Sequence, residues 1–564
     1  MNALQKRLEE LGNCFNTKLC LPTTPCASPG YHTKIADGTP VHSTRLALDY
    51  ALLLLKDGSP ANIDRAIAVI SAVLKLQDSD PCSKTFGIWP WFADEPLDKM
   101  SPPDWNWADF CGAIIAEILV SHADKLPTIL VENMKASLLD AALSIFRRNV
   151  GPDYTNIAIM GAGVCVIAGQ ILQDKLLMRY GIRRLERFLD YTTAQGGFNE
   201  YNSPTYTVVV IDEAERILRL ATDSEAKRLS ETIFRLAWKT VAEHYHPATG
   251  QWGGPHSRAY SDTLSRNTAA KIAFATGYAV GDVTPEEAGQ LLIVKPLPCP
   301  DDLKESFNPC KPKAETVVRR FRLGSTHATS VIGTTWFNDN VCLGSVNHDN
   351  AWTQRRPVIA YWPSARKDTV AVLRIRFLHD GRDFASAFFR TVQKDNAALT
   401  GVTFLTNKGD FHDHLDRPQD GIFTASDFRL RVELNAPDAH VIGNQGVDCG
   451  LRSGGRYANV HCLDGFFNGH PIHWESGETD GKAYIDAICY KGNPTRFDFC
   501  HLKESWLFVA LELLHAGETP IGLEPDVHPK DSLAVAWAEW KPYGLQTAVS
   551  RHPLPIGEAF VAGA

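Results

Sequence analysis

Apolar residues in the first half of the chain recur at the period of a helix. Ile63, Ile67, Ile70 and Leu74 fall on one helical face, as do Leu138, Ala142 and Ile145. The same pattern predicts helices over 113–121, 156–172, 180–191, 208–221 and 225–245, after a charged amphipathic start at 1–10. Loops rich in Pro, Gly, Trp and Asn separate them at 86–107, 151–155, 195–205 and 246–260. Helix, short connector, helix, long polar loop is the rhythm of stacked helical hairpins. No sequence repeat holds a fixed period, which favours a closed toroid over a solenoid.

Past residue 292 the pattern changes. The stretch 295–313 holds five prolines and little periodicity, which suits a linker. Beyond it the period is two: Leu373, Ile375 and Phe377 alternate with Arg374 and Arg376, and Phe428, Leu430 and Val432 with Arg429 and Arg431. Similar runs recur at 385–392, 458–463, 483–490, 505–511 and 533–540. With no amphipathic helices between them, these runs predict antiparallel pairing. The expected architecture is α+β and multidomain. A helical (α/α) toroid, incomplete as a ring, would span 1–292, a linker 293–315 and an antiparallel β-sandwich 316–564.

Composition narrows the function classes. At 564 residues, 44% hydrophobic and 22% charged, the chain has the make-up of a globular protein with more than one core. A net charge of −8 argues against a nucleic-acid partner. No apolar run is long enough for a membrane span, and the charged start lacks a signal peptide's apolar stretch. The chain as given therefore reads as cytoplasmic. Thirteen cysteines without a CxxC or CxxH cluster indicate reduced, packed thiols. His412-Asp413-His414 lacks a clear third ligand, so neither a metal nor another cofactor is expected.

Candidate chemistry lies in the loops. Asp104-Trp105-Asn106-Trp107-Ala108-Asp109 offers aromatic faces and polar groups suited to a sugar, although Asp104 as an N-cap with packed tryptophans would also explain it. Asn156 follows Asp153-Tyr154-Thr155 at a helix start, where Thr155 or Asn156 caps the helix or Asn156 donates to a carboxylate. Glu200, Tyr201, Asn202 and Tyr206 crowd one Gly- and Pro-bounded loop, with Glu200 as an acid or hydroxyl ligand and a tyrosine as a proton carrier. Trp252 precedes His256, Arg258 and Tyr260, whose alternation places them on one side of an extended backbone. Together they could bind a carboxylate and move a proton, unless Arg258 is a structural partner of Asp262. In the β-rich half, His348, Trp352, Gln354 and Arg355 form a further polar loop, readable as substrate contacts or as interdomain salt bridging.

In layout, and in Asn156, the tyrosine-rich loop and His256-Ser257-Arg258-Ala259-Tyr260, the chain resembles the heparinase and alginate-lyase-like polysaccharide lyases. The resemblance implies a uronate-containing oligo- or polysaccharide substrate cleaved by β-elimination. Asn156 and Arg258 would neutralise the carboxylate, Tyr260 or His256 would take the C5 proton, and a tyrosine such as Tyr206 would protonate the leaving oxygen. The chain departs from the alginate-lyase pattern where Ile157, rather than histidine, follows Asn156. Its Arg258–Tyr260 spacing is also tighter than usual. Two alternatives remain: an (α/α)-barrel glycoside hydrolase using a carboxylate pair about 5–10 Å apart, drawn from Asp104, Asp109, Glu200 and Asp212, or a non-catalytic carbohydrate-binding protein.

Overall fold

The computed structural model describes residues 2–28, 31–326, 329–444, 448–522, 524–528 and 534–562. A helix-rich N-terminal region is followed by antiparallel sheets. The predicted helical stretches fall on Trp107–His122, Thr155–Ile171, Lys175–Gln195, Tyr206–Leu220 and Ser224–His244. Pro60–Leu74 and Thr128–Arg148 carry the two periodic sets, and Ile70, Leu138, Ala142 and Ile145 are buried in one cluster with Ile63, Ile67 and Leu74 packed against it. Local chemistry sets the ends. Before Thr44–Asp57 the Ser43 side chain accepts the Leu46 N–H, and Gly58 closes the helix at φ 75°.

Two expected caps are corrected. Thr155 and Asn156 are already helical and buried, and Tyr154 holds the cap position with no capping bond from its side chain. The helix is instead opened by the Tyr154 carbonyl, which accepts the Ala158 N–H at 2.8 Å. Asp104 likewise lies before the cap residue, Asn106; its carboxylate accepts the Asn106 N–H at 3.0 Å and the Trp91 indole N–H at 3.1 Å.

The compact units do not part at residue 292. One comprises Met1–Thr193, Val208–Trp238 and Glu286–Pro298; the other comprises Ala194–Thr207, Lys239–Pro285 and Cys299–Ala564. The stretch 293–315, expected as a linker, carries the short helix Asp301–Lys304 and buries Cys299 and Phe307. Within the second unit its Lys313 ammonium donates to the carbonyls of Ala242, Glu243 and Tyr245 at 2.8–3.2 Å, closing the end of Ser224–His244. Proline content marked the absence of long elements there, but not the absence of packing.

Among the described residues the second unit builds two large sheets. One runs from His473–Thr479 through Lys482–Asp498, Ile422–Asn435, Val370–His379, Val358–Pro363, Val341–Val346 and Val331–Asn338 to Glu315–Arg322. The other runs from His348–Asn350 through Ala387–Lys394, Ala397–Phe404, Trp506–His515, Arg456–Phe467 and Asp448–Ser453 to His440–Asn444. Leu373, Ile375, Phe377, Phe428, Leu430 and Val432 from the first sheet share one buried cluster with Phe389, Val402, Leu451 and Val509 from the second. The alternation read from the sequence is therefore the inward face of a sheet. The run at 533–540 forms Val535–Trp540, and residue 533 lies outside the described residues.

Candidate functional site

The loop 196–206 and the loop 253–262 meet within the β-rich unit, and the meeting is built from backbone upward. Asn202, at φ 41°, donates through its side-chain amide to the carbonyls of Gly253 (2.9 Å) and Pro255 (2.8 Å), while its amide oxygen accepts the Trp252 indole N–H at 2.5 Å. Asparagine tolerates this left-handed backbone better than most side chains. Ser203 Oγ accepts the Tyr206 N–H at 2.8 Å and so caps Tyr206–Leu220; it also donates to the Arg258 carbonyl at 2.5 Å. One hydroxyl thus fixes the helix start and the strand-like loop together.

On this frame stands a cluster of five polar side chains. Arg258 donates from Nη1 to Glu200 Oε1 (2.6 Å), from Nη2 to the Tyr206 hydroxyl (2.9 Å) and from Nε to Gln354 Oε1 (2.6 Å). Its guanidinium carbon lies 4.5 Å from the Tyr206 ring centre and 4.6 Å from that of Trp352. The Tyr206 and Tyr260 hydroxyls are 2.8 Å apart, and Tyr260 is 62% exposed. Burial pushes the Tyr206 phenol well above its ordinary range; Arg258 opposes the shift, and Tyr260 and Glu200 add to it. Tyr206 therefore holds its proton, beside an exposed second phenol that can exchange with it.

His256 turns inward. It is 2% exposed, its Nδ1 lies 2.7 Å from the Asn202 carbonyl, and burial lowers its pKa to about 4 against the pull of nearby carbonyls. The neutral imidazole braces the loop, while Arg258 and Tyr260 form the chemical face. Alternate side chains of a loop share a side only while its backbone stays extended, and here only an isolated bridge pairs His256 with Arg356. Asp262, a possible partner for Arg258, instead receives Arg356 Nε at 2.5 Å and a bond from Arg374.

The polar loop of the sheet region joins the same cluster through Gln354 and Trp352. The Ala259 N–H also donates to the Gln354 carbonyl at 2.7 Å. Arg355 binds Asp349 and Asn350, and Tyr201 donates to Asp349 at 2.7 Å while stacking on Phe321. Tyr201 is fully buried and belongs to the support. His348 packs against Phe388 and Phe560. Asp349, Arg356 and Arg374 hold this loop in place, yet period and spacing gave them no distinction from other charged strand residues.

Trp105, Asn106 and Asn156 stand in the helical unit. Trp105 donates to the Lys84 carbonyl at 3.0 Å; Asn106 donates to the Tyr154 hydroxyl at 3.1 Å and accepts from Arg148 at 2.6 Å. Asn156 is 3% exposed. His412 meets Trp352 edge-on, and His414 lies 3.0 Å from Asp413. Among the described residues no group of three His, Cys, Asp or Glu side chains converges as a metal site. No helix among them is long and apolar enough to cross a membrane.

Residues 27–288 match a protein family described as a domain of unknown function, DUF8769. No curated protein sequence matches the chain. Similar solved structures include heparinase III, at 12% identity over 98% of this chain and 90% of that one, with a TM-score of 0.44. The Streptomyces coelicolor A3 chondroitin AC lyase in complex with chondroitin sulphate is 10% identical over 97% and 84%, with a TM-score of 0.47. A heparan sulfate lyase HepC mutant from Pedobacter heparinus is 10% identical over 96% and 89%, with a TM-score of 0.34. The chain resembles these polysaccharide lyases, at an identity too low to carry any residue's role across.

Proposed function

We propose that this protein is a polysaccharide or oligosaccharide lyase that cleaves a uronate-containing glycan by β-elimination. The observation that carries the reading is the contiguous Arg258–Tyr206–Tyr260 set, in which a half-buried cation, a half-buried phenol and an exposed phenol are joined by hydrogen bonds. β-Elimination needs a base for the C5 proton, an acid for the leaving oxygen and positive charge beside the enolate-like transition state. Tyr260, entering the step as the phenolate, takes the C5 proton as the C4–O bond breaks and the C4–C5 double bond forms. Tyr206 gives its proton to the leaving oxygen, and transfer across the phenol pair restores both. Arg258 stabilises the accumulating negative charge, and the buried Trp352 ring packs against its guanidinium and holds it in place.

Glu200 supports this reading over a hydrolase. A glycosidase acid must be poised to give up a proton, whereas Glu200 is ion-paired with Arg258 at 2.6 Å and its side chain is only 8% exposed. We further propose that the N-terminal helices form an incomplete (α/α) toroid and the two large sheets a β-sandwich; their shared apolar cluster supports the latter.

The test is incubation of the purified protein with a panel of uronate polymers and oligomers, followed by ultraviolet absorbance of the conjugated unsaturated uronate. A rise in that absorbance, lost in Tyr260→Phe, is expected. New reducing ends without the chromophore would overturn the lyase reading in favour of hydrolysis. Binding without turnover would reduce the protein to a carbohydrate-binding role.

A further inference from the structure

At the opposite end of the chemistry, an arginine is buried without a carboxylate partner. Arg456 and His515 are direct cross-strand partners where Arg456–Phe467 meets Trp506–His515, so both side chains rise from the same face of the sheet. Arg456 is 5% exposed. Its Nε donates to Asn340 Oδ1 at 2.8 Å and its Nη2 to His515 Nε2 at 2.9 Å. Both acceptors are neutral, because a ring nitrogen that accepts a hydrogen bond carries no proton.

No Asp or Glu lies within ion-pair distance of Arg456 among the described residues. The acidic groups that act on it, Glu518 and Asp339, do so from farther away. Glu518 accepts the His515 backbone N–H at 2.7 Å. Asp438, at the cavity's edge, accepts from Ser453, Gly454 and Ala365. A guanidinium cannot discard its proton in response to burial, so its desolvation is only partly offset by two neutral acceptors and the more distant Glu518 and Asp339. Nη1 has no protein partner among the described residues.

That arginine lines a cavity of about 380 Å³, together with Asn340, Ser364, Gly454, Gly455 and His515. Two glycines form part of its wall. A side chain at Gly455 would meet nothing within 4 Å, and Gly454 has a φ of 58° that favours glycine. We infer that the Arg456–His515 cavity is an anion-binding site for a small oxyanion-bearing molecule, with the guanidinium as its counter-charge. The oxyanion is a carboxylate, a sulfate or a phosphate group. The cavity is roomier than a bare tetrahedral anion requires, which favours an oxyanion carried on a carbon frame such as an acidic sugar. This site is independent of the Arg258 cluster and of the lyase reading.

Isothermal titration calorimetry on the full chain tests it, with sodium glucuronate, sodium sulfate and neutral glucose as separate titrants. One saturable site for glucuronate or sulfate is expected, and none for glucose. Glucuronate binding above sulfate identifies an acidic sugar as the source; the reverse identifies a free oxyanion. Arg456→Gln should lose that binding. Gly455→Asp adds a carboxylate at the cavity's wall, where a Cβ meets nothing within 4 Å, and should weaken that binding as well, while keeping the parent's thermal midpoint. The second variant keeps the test decisive if the first folds poorly. Unchanged binding in both variants, or no binding of either anion to the parent, overturns the inference. Failure of the lyase assay leaves these outcomes untouched.

Discussion

At the scale of single residues, Tyr260 and Arg258 separate chemistry from stability. Tyr260 is exposed, and its hydroxyl touches only Tyr206 among the hydrogen bonds described. Tyr260→Phe should therefore lower lyase turnover by about 10²–10⁴-fold, the usual contribution of a proton-transferring group. Its thermal midpoint should not move; an inactive variant that also unfolds early would count against the assignment. Arg258 is different, because its loss removes the ion pair it makes with the Glu200 carboxylate, whose side chain is 8% exposed. Arg258→Met should cost about 3–5 kcal/mol in chemical denaturation as well as turnover. Adding Glu200→Gln should recover part of that stability and none of the activity. Recovery of turnover in the double variant would show that the cation plays no part in the reaction.

At the scale of elements, the Arg258 loop depends on close backbone approach to the strand Val341–Val346. A Cβ at Gly344 would fall against the Gly254 carbonyl and Pro255 nitrogen, which the backbone cannot vacate without moving the loop. Gly344→Ala should destabilise the β-rich unit by about 1–3 kcal/mol, as overpacking does. It should also depress turnover, although what the added Cβ would meet first is loop backbone rather than a side chain of the cluster. Full activity in this variant would mean that the loop's position is not set by the strand. Proline and glycine at 253–255 announced a turn in the sequence; which strand it rests on was not legible, because that contact joins positions about ninety residues apart and neither side has a patterned side chain.

At the scale of the whole molecule, two buried ionisation patterns act in opposite directions on pH stability. In the β-rich unit His244, His246 and His256 are each lowered by burial from 6.5 to about 4. Unfolding lets them take up protons between those values, so their contribution to stability is present above about 6.5 and is lost as pH falls toward 4. In the helical unit Asp109 is raised by burial from 3.8 to about 7, so its protonated form favours the fold and stability is lost as pH rises through that range. The denaturation midpoint of His246→Asn should depend less steeply on pH below about 6.5 than that of the parent, since each such histidine contributes at most about 1.4 kcal/mol per pH unit. Asp109→Asn should be stabilising above pH ~7 and close to neutral at acid pH. Parallel pH curves for parent and variant would show that the group in question does not titrate on unfolding.

By itself the sequence determined the periodic parts of this protein. Ile70, Leu138 and Ile145 marked buried helical faces, and Leu373, Phe377, Phe428 and Val432 marked the inward side of a sheet, because an apolar side chain's burial is a local and repeated demand. It also drew the eye to Tyr206, Arg258, Tyr260, Trp352 and Gln354, polar residues with no period to explain them. Only the tertiary structure decided their parts: which tyrosine faces solvent, that Glu200 rather than Asp262 holds Arg258, that His256 braces the loop from beneath, and that Thr155 and Asn156 lie inside a helix rather than at its cap. It alone decided that Arg456 stands buried beside His515 with no carboxylate in ion-pair distance among the described residues. Those facts are pairings between distant segments, fixed by packing and hydrogen-bond geometry, and one-dimensional spacing carries no record of them.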